Sequence, residues 1–181
     1  MRIVDARLPA ADPAALTAWY DANLGASPRF VQGEATPHHF AFHVADLEPW
    51  KGRLDVTEEH DFSSWGGARA VYFRDPAENV VELIARQQAH AELTLAEVGL
   101  PVEDVPTAVE TLQRELGLPL YDEAGDSFAP LGDDDGLLIV VRVGRGWFPV
   151  GVPAGDSPIH VTLEGATTGA ARIGPHRVVS A

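Results

Sequence analysis

Apolar and polar positions group into short segments along the chain, and most of these segments have the length and side chains of β-strands. Residues 39–43 (HFAFH) alternate, whereas residues 80–84 (VVELI) are apolar at every position except one. Residues 70–73 and 80–84 flank the turn sequence DPAEN and predict a hairpin. Further strands are predicted at residues 29–32, 127–130, 137–143 and 159–163. From residue 165 onward the sequence has no clear period, which predicts a frayed tail.

An internal repeat organises these segments. Residues 5–25 (DARLPAADPAALTAWYDANLG) match residues 97–117 (EVGLPVEDVPTAVETLQRELG) after a shift of 97 − 5 = 92 positions. Residues 39–46 (HFAFHVAD) match the start of the first copy after a shift of 39 − 5 = 34 positions. Each copy is a short strand followed by an aspartate that can cap a helix. The helices of the first and third copies end at Gly25 and Gly117, which can supply the left-handed residue after a helix.

The repeat divides the chain into units in which a strand and a helix are followed by further strands. We predict a first unit at residues 1–38, a second at 39–92, a third at 93–165 and a tail at 166–181. The first unit is shortened, because only 39 − 25 = 14 positions separate Gly25 from His39. Three strands of ordinary length do not fit into that interval.

The composition narrows the range of partners and chemistries. Apolar residues make up 45% of the chain and charged residues 22%, as in a globular protein. The formal charge of −14 disfavours nucleic acid and anionic membranes and favours cationic or neutral small ligands. Because the chain has no cysteine, disulfides, thiolate zinc sites and cysteine nucleophiles are excluded. It has neither a signal-peptide pattern nor a long apolar run, so we expect a cytoplasmic location.

Glu82 is the residue that most clearly suggests chemistry, because it interrupts the apolar run at residues 80–84. A carboxylate in such surroundings costs several kcal/mol, to order of magnitude, unless it is paired or binds a metal. His39, on a second strand that can face this one, would complete the core of a metal site. Two structural alternatives stay open: Glu82 pairs with Arg74 or Arg86, and His39 hydrogen-bonds a backbone carbonyl.

The succession of strand, helix and three-stranded meander resembles the vicinal oxygen chelate superfamily, which includes glyoxalase I, extradiol dioxygenases, thiol transferases and bleomycin-binding proteins. The most specific element is YFRDPAENVVELIAR, at residues 72–86, which is similar to the last-strand motif of that superfamily. DFSSWGGARAVYF, GLPVEDV and GRGWFP resemble a bacterial glyoxalase-like subgroup. The resemblance implies an α+β fold of tandem βαβββ units whose curved mixed sheets surround a cavity. Two features depart from the pattern: the shortened first unit, and Glu78 where the turn usually carries glycine.

The resemblance also implies where metal ligands lie, on the first and last strands of paired units. The first-strand position corresponds to Asp5, His39 and Glu97, and the last-strand position to Glu82 and to Thr162. Pairing of the first two units would assemble Asp5, His39 and Glu82, whereas pairing of the last two would assemble His39, Glu82 and Glu97. Either set has one imidazole and two carboxylates and predicts a divalent ion such as Mn, Fe, Ni or Zn.

Two further residues are candidates for catalysis. His43 shares a face with His39, but four residues at about 3.3 Å each place the two some 13 Å apart, too far to ligate one ion. We therefore interpret His43 as a pocket residue or acid/base, and expect His38, on the opposite face, to be exposed. Tyr72 either donates a hydrogen bond to a ligand oxygen or packs in the core.

Three aromatic residues lie in loops flanked by glycine or proline: Trp65, Trp147 and Phe148. Large apolar side chains in such loops close a pocket, pack in the core or contact another subunit. The acidic run at residues 133–135 predicts a solvated turn rather than a calcium site.

These observations leave three interpretations of function. The first is a metal-dependent enzyme that acts on a small substrate with vicinal oxygens, as an isomerase, lyase, dioxygenase or thiol transferase. The absence of a second histidine ligand disfavours extradiol cleavage. The second is a metal-free small-molecule binding protein of the bleomycin-resistance type. The third is a relative whose cavity has closed, and for each the resemblance implies a homodimer.

Overall fold

The computed structural model describes residues 1–88 and 93–181, so the unit boundary predicted at residue 92 lies outside the described residues. The helices are α1 (Pro13–Asn23), α2 (Glu48–Lys51) and α3 (Val105–Leu116). The strands are β1 (Arg2–Ala10), β2 (Arg29–Gln32), β3 (His39–His43), β4 (Val56–Phe62), β5 (Ala68–Arg74), β6 (Val80–Ala85), β7 (Leu95–Val102), β8 (Phe128–Asp133), β9 (Gly136–Arg142), β10 (Gly146–Trp147), β11 (Val152–Pro153), β12 (His160–Glu164), β13 (Gly169–Ile173) and β14 (His176–Ser180).

A mixed seven-stranded sheet carries the strands of the second and third copies of the repeat, in the order β4-β5-β6-β3-β7-β9-β8. Its centre is the antiparallel pair β3 and β7, in which Ala41 lies opposite Glu97. On either side a parallel neighbour follows, with β6 beside β3 and β9 beside β7. The first strands of the second and third copies are therefore adjacent, and their ligand positions lie in one sheet.

A second sheet of five strands has the order β13-β14-β12-β1-β2 and corrects the expectation of a frayed tail. β13 and β14 pair with each other, and β14 runs parallel to β12. Ala171, Ile173 and Val178 are buried in the main core, which explains why the C-terminal segment is ordered. The strand predicted at residues 159–163 also belongs to this sheet, where Thr162 lies opposite Asp5 of β1.

The predicted helix boundaries are confirmed by their hydrogen bonds. Oδ1 of Asp12 accepts from the backbone N–H of Ala15 at 3.0 Å, and Oδ1 of Asp104 accepts from that of Thr107 at 3.0 Å. Gly25 and Gly117 have φ angles of 84° and 65°, in the left-handed region that glycine adopts readily. No helix of the described ranges is both long and apolar enough to cross a membrane.

The DPAEN turn before β6 is held by a buried carboxylate. Asp75 accepts hydrogen bonds from the backbone of Ala77 and Asn79 at 2.9 and 3.0 Å, and from the hydroxyl of Tyr20 at 2.8 Å. Glu78, which stands where glycine is usual, has a φ angle of 65°. This departure from the motif that the sequence resembles therefore keeps the left-handed backbone, while the Glu78 side chain pairs with Arg74.

Two buried histidines join the sheets through the carbonyl groups of prolines at equivalent positions of the repeat. Nε2 of His38 lies 3.1 Å from the carbonyl oxygen of Pro9, and Nε2 of His176 lies 2.5 Å from that of Pro101. His38 is 3% exposed, so the expectation that it faces solvent was wrong. Burial lowers the pKa of His38 to about 4 and lowers that of His176 as well. Both rings are therefore neutral in the folded protein near pH 7.

His176 should make folding sensitive to acid. Nδ1 of His176 accepts the backbone N–H of Ile159 at 3.1 Å, so protonation would break that bond. Folding lowers the pKa of His176. Below pH ~6.5 this histidine is therefore protonated in the unfolded chain but still neutral in the folded one. Stability is therefore complete above that pH and falls as the pH decreases, by up to about 1.4 kcal/mol per pH unit.

Urea unfolding of the wild type and the His176→Gln variant, followed from pH 7.5 to 5, measures this dependence. The variant should lose less stability over the same pH range, because its amide cannot take up the proton. Equal losses in the two proteins would contradict the assignment.

Candidate metal centre

His39, Glu82 and Glu97 converge on one face of the seven-stranded sheet. Ala41 of β3 lies opposite both Glu82 of β6 and Glu97 of β7, and His39, two residues earlier, shares its face. One ligand atom from each of the three residues lies within 4.8 Å of the others. Nε2 of His39 is 3.6 Å from a carboxylate oxygen of Glu82 and 4.0 Å from one of Glu97. The structure thus brings together the set implied by pairing the second and third units.

These distances suit a metal ion after small side-chain shifts. Bonds of about 2.1 Å to a metal place neighbouring ligand atoms roughly 3.0–3.4 Å apart. Nδ1 of His39 lies 3.1 Å from the carbonyl oxygen of Val80 and donates to it, which turns Nε2 towards the carboxylates. The backbone hydrogen bond considered as an alternative for His39 is therefore present and also fixes the tautomer that a metal requires.

Burial dominates the electrostatics of the centre. The pKa of Glu82 is raised well above its ordinary value, first by burial and then by the negative charge of Glu97. Burial, and then the negative charges of Glu82 and Glu97, raise the pKa of Tyr72. In the folded protein Tyr72 is thus a neutral hydrogen-bond donor. A divalent cation would relieve the repulsion that burial intensifies between Glu82 and Glu97.

Arg86 partners Glu97 rather than Glu82. Nη2 of Arg86 lies 3.1 Å from Oε1 of Glu97, with 3% and 4% of the two side chains exposed. Its Nη1 contacts the half-exposed Asp134 at 3.4 Å. Since Arg74 pairs with Glu78, neither arginine forms the ion pair with Glu82 that the sequence left open, within the described part of the chain. The strand periodicity contained a signal for Arg86, because residues 82, 84 and 86 alternate onto one face.

A cavity of about 180 Å³ opens beside the three candidate ligands. Tyr72, Ile84, Ile139 and Arg145 line it, together with the aromatic side chains of Phe62, Trp65, Phe128, Trp147 and Phe148. The three loop aromatics that the sequence singled out therefore all border this cavity, which is one of the three roles considered for them. Arg145 had not been singled out by the sequence.

Trp147 packs against the centre because a glycine leaves room for it. A Cβ atom placed on Gly99 would lie 2.5 Å from the Trp147 ring. The Trp147 and His39 ring centroids are 5.4 Å apart, and Nε1 of Trp147 donates to the carbonyl oxygen of Pro37 at 3.0 Å. No sequence pattern pointed to this contact, which depends on the pairing of β7 with its neighbours.

The last-strand position of the third copy is occupied by Ile139 rather than by Thr162. In the second unit Ala41 lies opposite Glu82, and in the third the corresponding partners are Gly99 and Ile139. Thr162 lies in the other sheet, opposite Asp5. Because an isoleucine cannot ligate a metal, the described residues offer three candidate ligands here, His39, Glu82 and Glu97.

Asp5 and His43 lie apart from the cluster. Asp5 belongs to β1 of the five-stranded sheet and pairs with Arg7 at 3.1 Å and Arg29 at 3.4 Å. His43 lines a different cavity of about 500 Å³, which it shares with Phe42 of the same strand. Its Nε2 lies 3.5 Å from the carbonyl oxygen of Asp135.

Comparison with known proteins finds likeness in structure alone, since no protein-family model and no curated protein matches the chain. Glyoxalase I from Zea mays superposes with a TM-score of 0.62 at 17% identity, covering 99% of this chain and 91% of the maize chain. A variant of the maize enzyme gives 0.61 at 16%, covering 99% and 92%. A candidate dioxygenase from Bacillus subtilis gives 0.66 at 14%, covering 99% and 85%. The chain therefore has a mixed α+β fold of the glyoxalase type.

Proposed function

We propose that this protein is a metal-dependent enzyme that acts on a small substrate with two neighbouring oxygen atoms. The observation that carries the proposal is the convergence of His39 Nε2 with Glu82 and Glu97 beside the cavity. These residues would hold a divalent ion such as Mn, Fe, Ni or Zn. When bound, such an ion supplies a Lewis acid for vicinal substrate oxygens and the negative charge that develops on them.

The chain's own residues would bind the substrate and handle its protons. Tyr72 presents a neutral hydroxyl next to Glu82, from where it can donate a hydrogen bond or a proton to a substrate oxygen. The aromatic walls would exclude water from the reacting atoms. His43 lines a separate cavity, so the proposal gives it no part in proton transfer.

Several reaction classes are compatible with this arrangement: isomerase, lyase, dioxygenase and thiol transferase. One imidazole and two carboxylates differ from the set of two histidines and one carboxylate that non-haem iron oxygenases use. This difference disfavours extradiol cleavage.

A second candidate function is metal-free binding of a small molecule, on the pattern of bleomycin-resistance proteins. It is favoured by the partner that Glu97 already has, because Glu97 forms a buried ion pair with Arg86 at 3.1 Å. In that case the cluster would be structural and the cavity would only sequester its ligand. For both candidates, a cytoplasmic homodimer without nucleic-acid or membrane partners remains a prediction from the sequence.

Metal content distinguishes the two functions. After incubation with each ion and removal of the excess, elemental analysis should find about one equivalent per chain in the wild type. The His39→Ala variant should lose it, whereas Asp5→Asn, which alters a carboxylate of the other sheet, should retain it. Turnover of vicinal-oxygen compounds should follow metal content across the three proteins. Absence of metal from the wild type under all conditions would refute the enzyme proposal and favour ligand binding.

A further inference from the structure

Aromatic side chains line the cavity beside the candidate metal centre. The Trp65 and Phe128 rings are stacked, with centroids 6.5 Å apart and planes at 28°. Phe148 lies edge-on to Tyr72 at 5.7 Å and to Phe62 at 6.1 Å. Aromatic side chains that line a cavity can offer ring faces or edges to a flat ligand.

The size of the cavity limits what it can enclose. A cavity of about 150 Å³ is known to hold one benzene molecule, and this one measures about 180 Å³. It therefore has room for one ring with small substituents. A tripeptide thiol conjugate would lie mostly outside it.

Arg145 provides the cationic group of the cavity wall. Its guanidinium lies 5.0 Å from the centroid of the Phe128 ring. Within residues 1–88 and 93–181 it makes no ion pair, although acidic residues outnumber basic ones by 27 to 13. Its backbone is fixed, because its N–H donates to the carbonyl of Arg142 at 3.0 Å and its own carbonyl accepts from Ala154 at 2.8 Å. A positioned guanidinium of this kind is suited to a carboxylate.

The charge balance of the centre also favours an anionic ligand. A divalent ion would be neutralised by Glu82 and Glu97, and the charge of Arg86 is offset by Asp134. Arg145 would then leave the cavity with a net positive charge. The overall charge of −14 acts over longer distances and is screened beyond about 8–10 Å at physiological salt.

We infer that the substrate of this site is a planar, single-ring compound with an acidic group that pairs with Arg145 while vicinal oxygens face the metal. The inference rests on the proposed function for the role of those oxygens. The aromatic lining, the cavity volume and a guanidinium without an ion pair among the described residues specify the remainder.

The inference is tested with two probes of the same shape, 3,4-dihydroxybenzoate and its neutral amide, 3,4-dihydroxybenzamide. Calorimetric titration without oxygen into metal-loaded wild type should give at least about tenfold tighter binding of the acid. Arg145→Gln should reduce that ratio to about one and leave the affinity for the amide unchanged. Arg142→Gln, which alters a neighbouring arginine outside the cavity lining, should keep the wild-type ratio.

The outcomes separate this inference from the proposed function. Equal affinities for acid and amide in a protein that does hold metal would overturn the inference and leave the metal centre intact. Arg145-dependent preference for the acid in a protein that holds no metal would support the anion site and count against the enzyme. A preference for the acid that persists in Arg145→Gln would overturn the assignment of Arg145.

Discussion

Replacement of Glu82 by glutamine is expected to stabilise the metal-free protein by about 1–3 kcal/mol and to abolish its stabilisation by added metal. Glu82 is 3% exposed and faces Glu97, so burial and like charge raise its pKa. The folded state therefore retains a proton that the unfolded chain releases above pH ~4.5, and stability falls as the pH rises past that value. Glutamine removes this dependence and keeps an oxygen that can accept a hydrogen bond from Tyr72.

With metal bound, the wild type should become more stable than Glu82→Gln. At a free concentration of 100 times its dissociation constant, a bound ion adds about 2.7 kcal/mol to the stability of the wild type. Glu82→Gln, with one ligand oxygen replaced by an amide, should gain little. Chemical denaturation of both proteins at pH 5 and 7.5, with chelator and with metal, measures the stability of each protein, its dependence on pH and its gain from metal.

The matched control for this experiment is Glu164→Gln, which alters an exposed carboxylate paired with Arg2 at 2.5 Å. It should change stability by no more than about 1 kcal/mol and should respond to metal as the wild type does. If Glu82→Gln destabilised the metal-free protein instead, Glu82 would be a structural partner and not a strained ligand.

The sequence predicted the local features of this fold better than their assembly. The helix caps at Asp12 and Asp104 depend on neighbouring residues only, and both were predicted. Glu82 was identified because a carboxylate in an apolar strand is costly wherever that strand lies. The strands of residues 169–180 were missed, because short strands that expose alternate residues give little apolar signal.

The choice between Asp5 and Glu97 required tertiary information. Both align with His39 in the repeat, and either was compatible with a set of one imidazole and two carboxylates. The antiparallel pairing of β3 with β7 places Glu97 beside His39. Asp5 instead lies in β1 of the five-stranded sheet, opposite Thr162. Non-local strand pairing of this kind cannot be read from periodicity. The same pairing determines that Ile139, rather than Thr162, occupies the last-strand position.

Replacement of Arg86 by methionine is expected to destabilise the metal-free protein by about 3–5 kcal/mol, because it leaves the Glu97 carboxylate buried and unpaired. Both side chains are almost completely buried, so solvent does not weaken the pair. Arg69→Met, which removes an exposed pair with Glu59, should cost no more than about 1 kcal/mol. Urea unfolding with chelator present compares the two variants directly.

The double variant Arg86→Met, Glu97→Gln shows whether the loss comes from the pair itself. Removing the second charge should restore much of the stability, giving a coupling energy of about 2–3 kcal/mol, whereas mere loss of packing would leave the effects additive. Metal adds a further test, because a bound ion would balance the charge of Glu97 in place of Arg86. If Glu97 is a ligand, metal should stabilise Arg86→Met more than the wild type, and an equal gain would place Glu97 outside the coordination sphere.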